Sequence, residues 1–242
     1  RALDQSACGG AIVRWQHRPK GLGQPNPLTP VAEETGLLVP LGRLGTGSAC
    51  RQLRAFIETG AGHPGLTMSV NVSPRQAIEP GFAAEVADIL AATGLEPSSL
   101  VLEITESIML RESAISDGSL RRLSDMGVQL VVDDFGTGFS ALEYFKRFAI
   151  RGLKIDRSFV GGLGKSREDM AIVTATLAFA SALGLSVTAE GVETADQLDR
   201  LRMLGCQQAQ GFLFSRPMGI ASATSLLERT TESTPVAGGW AA

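Results

Sequence analysis

The sequence predicts an α/β fold, a (β/α) barrel built on parallel strands. Three observations carry that expectation. Short β-rich apolar runs alternate with helical patterns, six or seven such units fit along the chain, and nearly every apolar run ends on a polar side chain. Parallel neighbours need crossover helices between them, so this alternation is what a parallel sheet requires. A doubly wound open sheet would satisfy the same alternation and is the other architecture it allows.

The elements follow in order. "AIVRW" (11–15) is the first β-rich run, then "LTMSVNV" (66–72), "LVLEIT" (100–105), "VQLVVDD" (128–134), "GLKID" (152–156), "LSVTAE" (185–190) and "AQGFLF" (209–214). Between them, "FAAEVADILAATG" (82–94) puts Phe82, Val86, Ile89 and Leu90 on one helical face and closes on a glycine, as helix C-termini favour. "TADQLDRLRMLG" (194–205) begins on the capping Thr194 and stops at Gly205. The uncharged stretch "AIVTATLAFASALGLSVTA" (171–189) has the length of a bilayer span. Gly184 divides it, however, into a helix and a short β-branched strand, and Thr174, Thr176, Ser181 and Ser186 dilute it, so a soluble helix–turn–strand is expected. The tail "TTESTPVAGGWAA" (230–242) lacks periodicity and is expected to be frayed, leaving 1–229 as the folded domain.

The totals agree with one large globular domain. The chain has 242 residues, 44% apolar and 19% charged. A net charge of −3 gives no support for a nucleic-acid polymer or an anionic membrane as partner. Cys8, Cys50 and Cys206 are far apart and not in metal-ligand spacing, which fits buried thiols in a reducing compartment, the cytoplasm. The absence of a start methionine or signal sequence reads as a segment of a longer protein.

The polar strand ends are Asn71, Glu103, the pair Asp133 and Asp134, Lys154, Glu190 and Gln210. In a barrel the C-terminal strand ends converge on one mouth, where catalytic groups collect. Adjacent aspartates repel unless water, a counter-charge or a metal ion stands beside them. Four carboxylates at one mouth would favour a hard divalent cation such as Mg²⁺ or Mn²⁺. Taken singly, each of these residues also fits a helix cap or a loop marker. Six in register fit a shared site better.

These motifs carry a family resemblance. "LEITE" (102–106), "VVDDFGTGFSAL" (131–142), "LKIDRSFV" (153–160), "TAEGVET" (188–194) and "GCQQAQGFLFSRP" (205–217) resemble the EAL-domain family of bacterial cyclic di-GMP phosphodiesterases, and "RWQH" (14–17), "AEETGLLVPLG" (32–42) and "SVNVSPRQ" (69–76) fit the same pattern. The resemblance implies a modified (β/α)8 TIM-type barrel and metal-dependent hydrolysis of one phosphodiester bond of cyclic di-GMP, giving linear pGpG. It implies Asn71, Glu103 and Asp133 as metal ligands, with Asp134 helping to hold a second ion. Mg²⁺ or Mn²⁺ would be the cofactor and Ca²⁺ an inhibitor. Glu190 and Lys154 would orient and activate the attacking water, Arg14 would meet a substrate phosphate, and Gln210 and Glu193 would shape the site. Glu106 would anchor the loop "DDFGTGFS", near which a homodimer interface is implied. A flanking sensory or GGDEF-type domain is implied in the parent protein, which would be cytoplasmic or the cytoplasmic part of a membrane-bound one.

The pattern breaks at one place. Aligned on "RW", the stretch "CGGAIVRW" (8–15) puts Gly10 where the motif glutamate, a metal ligand, belongs. No glutamate precedes Glu33, so none stands in for it. A family strand ahead of this motif is also expected to be missing, since only "RALDQSACG" precedes Gly10. Three functions are therefore weighed: a weakened phosphodiesterase, an inactive cyclic di-GMP receptor, and a barrel aldolase using Lys154 as a Schiff-base amine. Neighbouring carboxylates would keep that lysine protonated, which disfavours the last.

Overall fold

The computed structural model describes residues 8–12, 15–17, 21–23, 31–32, 34–62, 65–109, 118–137, 145 and 148–232. Arg14 lies outside these, as does 233–242 of the expected tail. The last helix, Ile220–Glu232, runs into the stretch read as tail.

Seven strands form one sheet: β1 (Cys8–Ala11), β4 (Thr67–Asn71), β5 (Leu100–Thr105), β6 (Gln129–Phe135), β7 (Ile150–Ile155), β8 (Ser186–Ala189) and β9 (Gln208–Ala209). They are hydrogen-bonded in that order and every neighbouring pair is parallel. A doubly wound sheet reverses its strand order at a switch point. Here each new strand adds on the same side, so the sheet winds in one direction. Its two ends curl toward each other: a Cβ built on Gly10 of β1 would lie 3.8 Å from Nε2 of the Gln210 side chain, just past β9. This is the barrel of the sequence reading, and the open sheet is excluded.

Two strand readings are corrected. The first strand occupies Cys8–Ala11, ahead of the predicted 11–15, and Trp15 instead opens a separate antiparallel pair, β2 (Trp15–His17) with β3 (Gly21–Gly23). The last run, predicted over 209–214, keeps only Gln208–Ala209 as strand. Its continuation turns because Gly211 lies against backbone: a Cβ there would sit 2.2 Å from the Val192 carbonyl oxygen.

The helices obey the local signals. Helix Arg167–Leu183 is capped by Ser166, whose hydroxyl accepts from the Asp169 N–H, and carries Glu168 and Asp169 in its first turn. It ends at Gly184 with φ 69°, and β8 follows, as expected for 171–189. No helix of the described residues is long and apolar enough to cross a membrane. Helix Ala195–Met203 has a capping box between Thr194 and Gln197. Helix Phe82–Thr93 buries Phe82, Ala83, Val86 and Leu90 and stops at the left-handed Gly94. The core lies between strands and helices, with Leu102, Ile104, Leu130, Val132 and Ile155 fully buried. Truncating one of them, as in Leu130→Ala, should cost about 2–5 kcal/mol.

Candidate active site

Strand register puts the polar residues on one face. Aligned residues of parallel neighbours point the same way, and positions two apart share a face. Gly10 aligns with Ser69, two before Asn71, and Asn71 aligns with Glu103. Asp133 aligns with Thr105, two beyond Glu103. Lys154 aligns with Thr188, two before Glu190, and Thr188 aligns with Gln208, two before Gln210. Gly10, Asn71, Glu103, Asp133, Lys154, Glu190 and Gln210 thus share the inner face near the C-terminal strand ends.

The centre of the group is Lys154, 5% exposed. Its ammonium lies 2.8 Å from Glu103 Oε1 and 3.6 Å from Asp133 Oδ1, and it also pairs with Glu190 Oε1. Burial works to discharge such a group, yet Glu103, Glu190 and Asp133 outweigh it and hold the lysine charged well above its ordinary range. A lysine so charged is not a Schiff-base nucleophile. Its carboxylate partners are Glu103, Asp133 and Glu190, and Asp156, two residues on, is not among them. Burial raises the Glu190 carboxyl, with Asp133 and Glu103 adding to the rise and Lys154 opposing it.

Carboxylate oxygens of Asp133, Asp134 and Glu190 lie within 4.8 Å of one another. Burial also raises the Asp134 carboxyl, helped by the neighbouring Asp133 and Asp156 and opposed by Lys154. Asp156 is set by its own partners: its Oδ1 accepts from the Ser158 N–H at 3.0 Å and from the Ser158 hydroxyl. These bonds, with the Arg157 N–H, overcome its burial and lower its carboxyl. One ammonium against four carboxylates leaves the mouth net negative. An oxygen-only, anionic donor set of this kind fits a hard divalent cation.

The remaining candidates divide. Glu106 is buried, and its Oε1 accepts from the Gly136 N–H at 3.2 Å, while its Oε2 finds no partner among the described residues. Asn71 and Gln210 are exposed at the mouth. The Gln210 N–H donates to the Ala189 carbonyl at 2.8 Å and its own carbonyl accepts from the Val192 N–H at 3.0 Å, which ties the segment after β9 to the segment bearing Glu190. Glu193 is exposed and outside the Lys154 network; its backbone N–H donates to Gln197 Oε1. Asp156 at Asp134 was missed from sequence. The one signal available was its place two residues after Lys154, as the cap of the short helix Arg157–Gly161.

A singly wound parallel barrel with carboxylates and a buried lysine at its C-terminal mouth defines an α/β-barrel protein with an acidic cluster at the end where such barrels carry their sites. More narrowly, the chain belongs to the EAL-domain family, whose model matches residues 8–217. MucR of Pseudomonas aeruginosa, a bifunctional diguanylate cyclase/cyclic di-GMP phosphodiesterase, is 44% identical over 208 residues, covering 86% of this chain and 30% of MucR. The cyclic di-GMP phosphodiesterase NbdA of the same organism is 39% identical over 217 residues, 90% of this chain and 28% of NbdA. The chain thus spans about a third or less of the length of these curated relatives. Among solved structures, the MucR phosphodiesterase in complex with c-di-GMP superposes with a TM-score of 0.84 at 43% identity, covering 88% of this chain and 85% of that one. The EAL domain of Mycobacterium smegmatis DcpA superposes with a TM-score of 0.74 at 40% identity, over 78% and 84%.

Proposed function

We propose that this chain is an EAL-type phosphodiesterase domain that hydrolyses cyclic di-GMP to pGpG with Mg²⁺ or Mn²⁺, weakened because Gly10 stands where a metal-binding glutamate belongs. The observation that carries this reading is the buried Lys154 paired with Glu103, Asp133 and Glu190 beside Asp134. Support comes from 44% identity to MucR, named a cyclic di-GMP phosphodiesterase.

In this reading Asn71, Glu103 and Asp133 hold one ion and Asp134 helps hold a second. When bound, such ions supply Lewis-acid polarisation of the phosphate and offset its charge. Glu190 accepts the proton of the attacking water, a role suited to a carboxylate whose proton affinity burial has raised. Lys154 holds Glu190, Glu103 and Asp133 in place through its ammonium. The water oxygen bonds to phosphorus, one phosphorus–oxygen ester bond breaks, and the ring opens to linear pGpG. Arg14 meets the other phosphate, Gln210 and Glu193 shape the site, and Glu106 steadies the backbone after Asp134. Residues 1–229 form the domain, within a larger cytoplasmic signalling protein that carries a sensory or GGDEF-type neighbour and pairs through the loop after Asp134.

Chromatographic detection of pGpG from cyclic di-GMP with Mg²⁺ or Mn²⁺ tests this; no product at any metal concentration would refute it. One observation favours a second reading: Gly10 offers no side-chain donor at a position open enough for one. The chain would then be a receptor that binds cyclic di-GMP without cutting it. Calorimetry with cyclic di-GMP and Ca²⁺ would give binding, while the pGpG assay stays blank.

A further inference from the structure

The strand that delivers the two aspartates is gripped from outside the barrel by aromatic rings. Phe135 is 6% exposed. Its ring stacks on Phe179 of helix Arg167–Leu183, with centroids 5.8 Å apart and planes 5° from parallel. It also meets Phe145 edge-on at 6.0 Å and 82°. Phe145 closes the triangle, edge-on to Phe179 at 5.3 Å and 83°. Such contacts have directional preferences, so they fix a ring's orientation as well as its burial.

In a regular strand Asp133 and Phe135 would face the same side. Here Val132 pairs with Leu153 and Phe135 with Ile155, so β6 uses three residues where β7 uses two. Asp134 is the extra residue, and its φ of 53° is the one positive value at a non-glycine position among the described residues. Bulges re-aim side chains, and a left-handed non-glycine residue persists only where its surroundings hold it. The outcome is an inward Asp133, a Phe135 turned to the helices, and Asp134 between them at the mouth. Beyond the bulge, the Gly136 N–H is fixed by Glu106. On the bulge itself, the Asp134 N–H donates to Asp133 Oδ1 at 3.1 Å and the Asp134 carbonyl accepts from the Thr137 hydroxyl at 2.8 Å, while Phe135 is the side chain seated against the helices in its triangle of rings.

We infer that Phe179 is a positioning residue for the candidate metal centre: its ring locks Phe135 on the helix side and thereby holds Asp134 in the left-handed conformation that groups its carboxylate with Asp133 and Glu190. This role rests on the metal-binding reading of those three carboxylates.

The test is a Mn²⁺ titration by calorimetry on the parent protein, Phe179→Leu, Asp134→Ala and the double variant, with thermal melts confirming that each is folded. Leucine keeps apolar volume and removes the ring. Losing the support of a ligand costs about 10- to 100-fold in metal affinity, so Phe179→Leu should bind Mn²⁺ at least about tenfold more weakly than the parent. In the Asp134→Ala background the same change should do nothing, since the residue it acts through is gone. Phe179→Tyr, which keeps the ring, should restore parent affinity. Should Phe179→Leu fail to fold, Phe145→Leu, which opens the same triangle, goes through the same cycle. Equal Mn²⁺ affinity in the parent and the ring-less variant would overturn the inference. So would an equal loss in both backgrounds, the mark of general loosening. A parent protein that binds no Mn²⁺ would remove the metal reading, and the positioning role with it.

Discussion

Returning a carboxylate to residue 10 is the sharpest perturbation available. In Gly10→Glu the new Cβ meets nothing nearer than Gln210 Nε2 at 3.8 Å, an ordinary contact, and Gly10 is exposed. Its φ is not in the left-handed region, so the backbone accepts a side chain without strain. Replacing a strand glycine also removes a penalty of roughly 0.5–1 kcal/mol. Electrostatics act the other way. A further anion about 5 Å from one of the existing carboxylates is opposed by about 3 kcal/mol at an effective dielectric of about 20. The metal-free variant should therefore melt below the parent. Added Mn²⁺ should raise its melting temperature by more than it raises the parent's, because the metal recovers that repulsion as affinity. A tenfold gain in affinity corresponds to about 1.4 kcal/mol, and pGpG formation at limiting Mn²⁺ should rise at least about tenfold, the scale of metal-site changes. The assay is product chromatography for both proteins at matched metal concentrations. Equal rates, or a melting temperature that Mn²⁺ moves equally in both, would refute the reasoning.

Lys154→Met should abolish pGpG formation and lower stability by about 3–5 kcal/mol, since it leaves Glu103, Asp133 and Glu190 facing one another without a cation; a chemical-denaturation curve checks the second part. Gly211→Ala forces a methyl group against the Val192 backbone, so the segment bearing Glu190 must shift; a stability loss of about 1–3 kcal/mol is expected, with turnover falling further than stability explains, read by comparing rates below the melting transition. Burial pushes the Cys50 and Cys206 thiols up to about 11 from 9.0. At pH 8 their thiolate fraction is about a hundredfold below that of a free cysteine, so alkylation of the native protein, followed by mass spectrometry, should be slower by at least that factor. The sign of the linked stability follows: the folded state favours the protonated thiol, so the contribution is full below pH 9.0 and is lost as pH rises through about 11.

The sequence disclosed the barrel because its strands are continuous apolar runs, as strands buried on both faces must be. It misplaced β1 because "CGGA" has little β character of its own and is held as strand by pairing with β4. It did not show helix Leu38–Glu58 at all. Pro40, Gly42, Gly45 and Gly47 depress its helical signal, and tertiary contact overrides them: a Cβ on Gly42 would lie 1.8 Å from Gln76 Nε2, so glycine lets the segments meet. The polar strand ends were legible one by one, since period and register alone bring them to one mouth. The bulge at Asp134 was not, because an extra residue in β6 is defined only against β7. The contact of Asp134 with Asp156 and the ring triangle depend on that same offset, so neither leaves a local trace.

The sheet adds its strands in the order the ribosome makes them, and the last is the shortest. Asn71, Glu103, Asp133 and Lys154 therefore emerge well before Glu190 and Gln210, whose segments are joined to each other by backbone bonds. A nascent chain halted before residue 208 would already carry Glu103, Asp133, Asp134 and Glu190 yet lack the last strand, β9. The carboxylates are thus synthesised ahead of the strand whose pairing with β8 ties down the segment bearing Glu190.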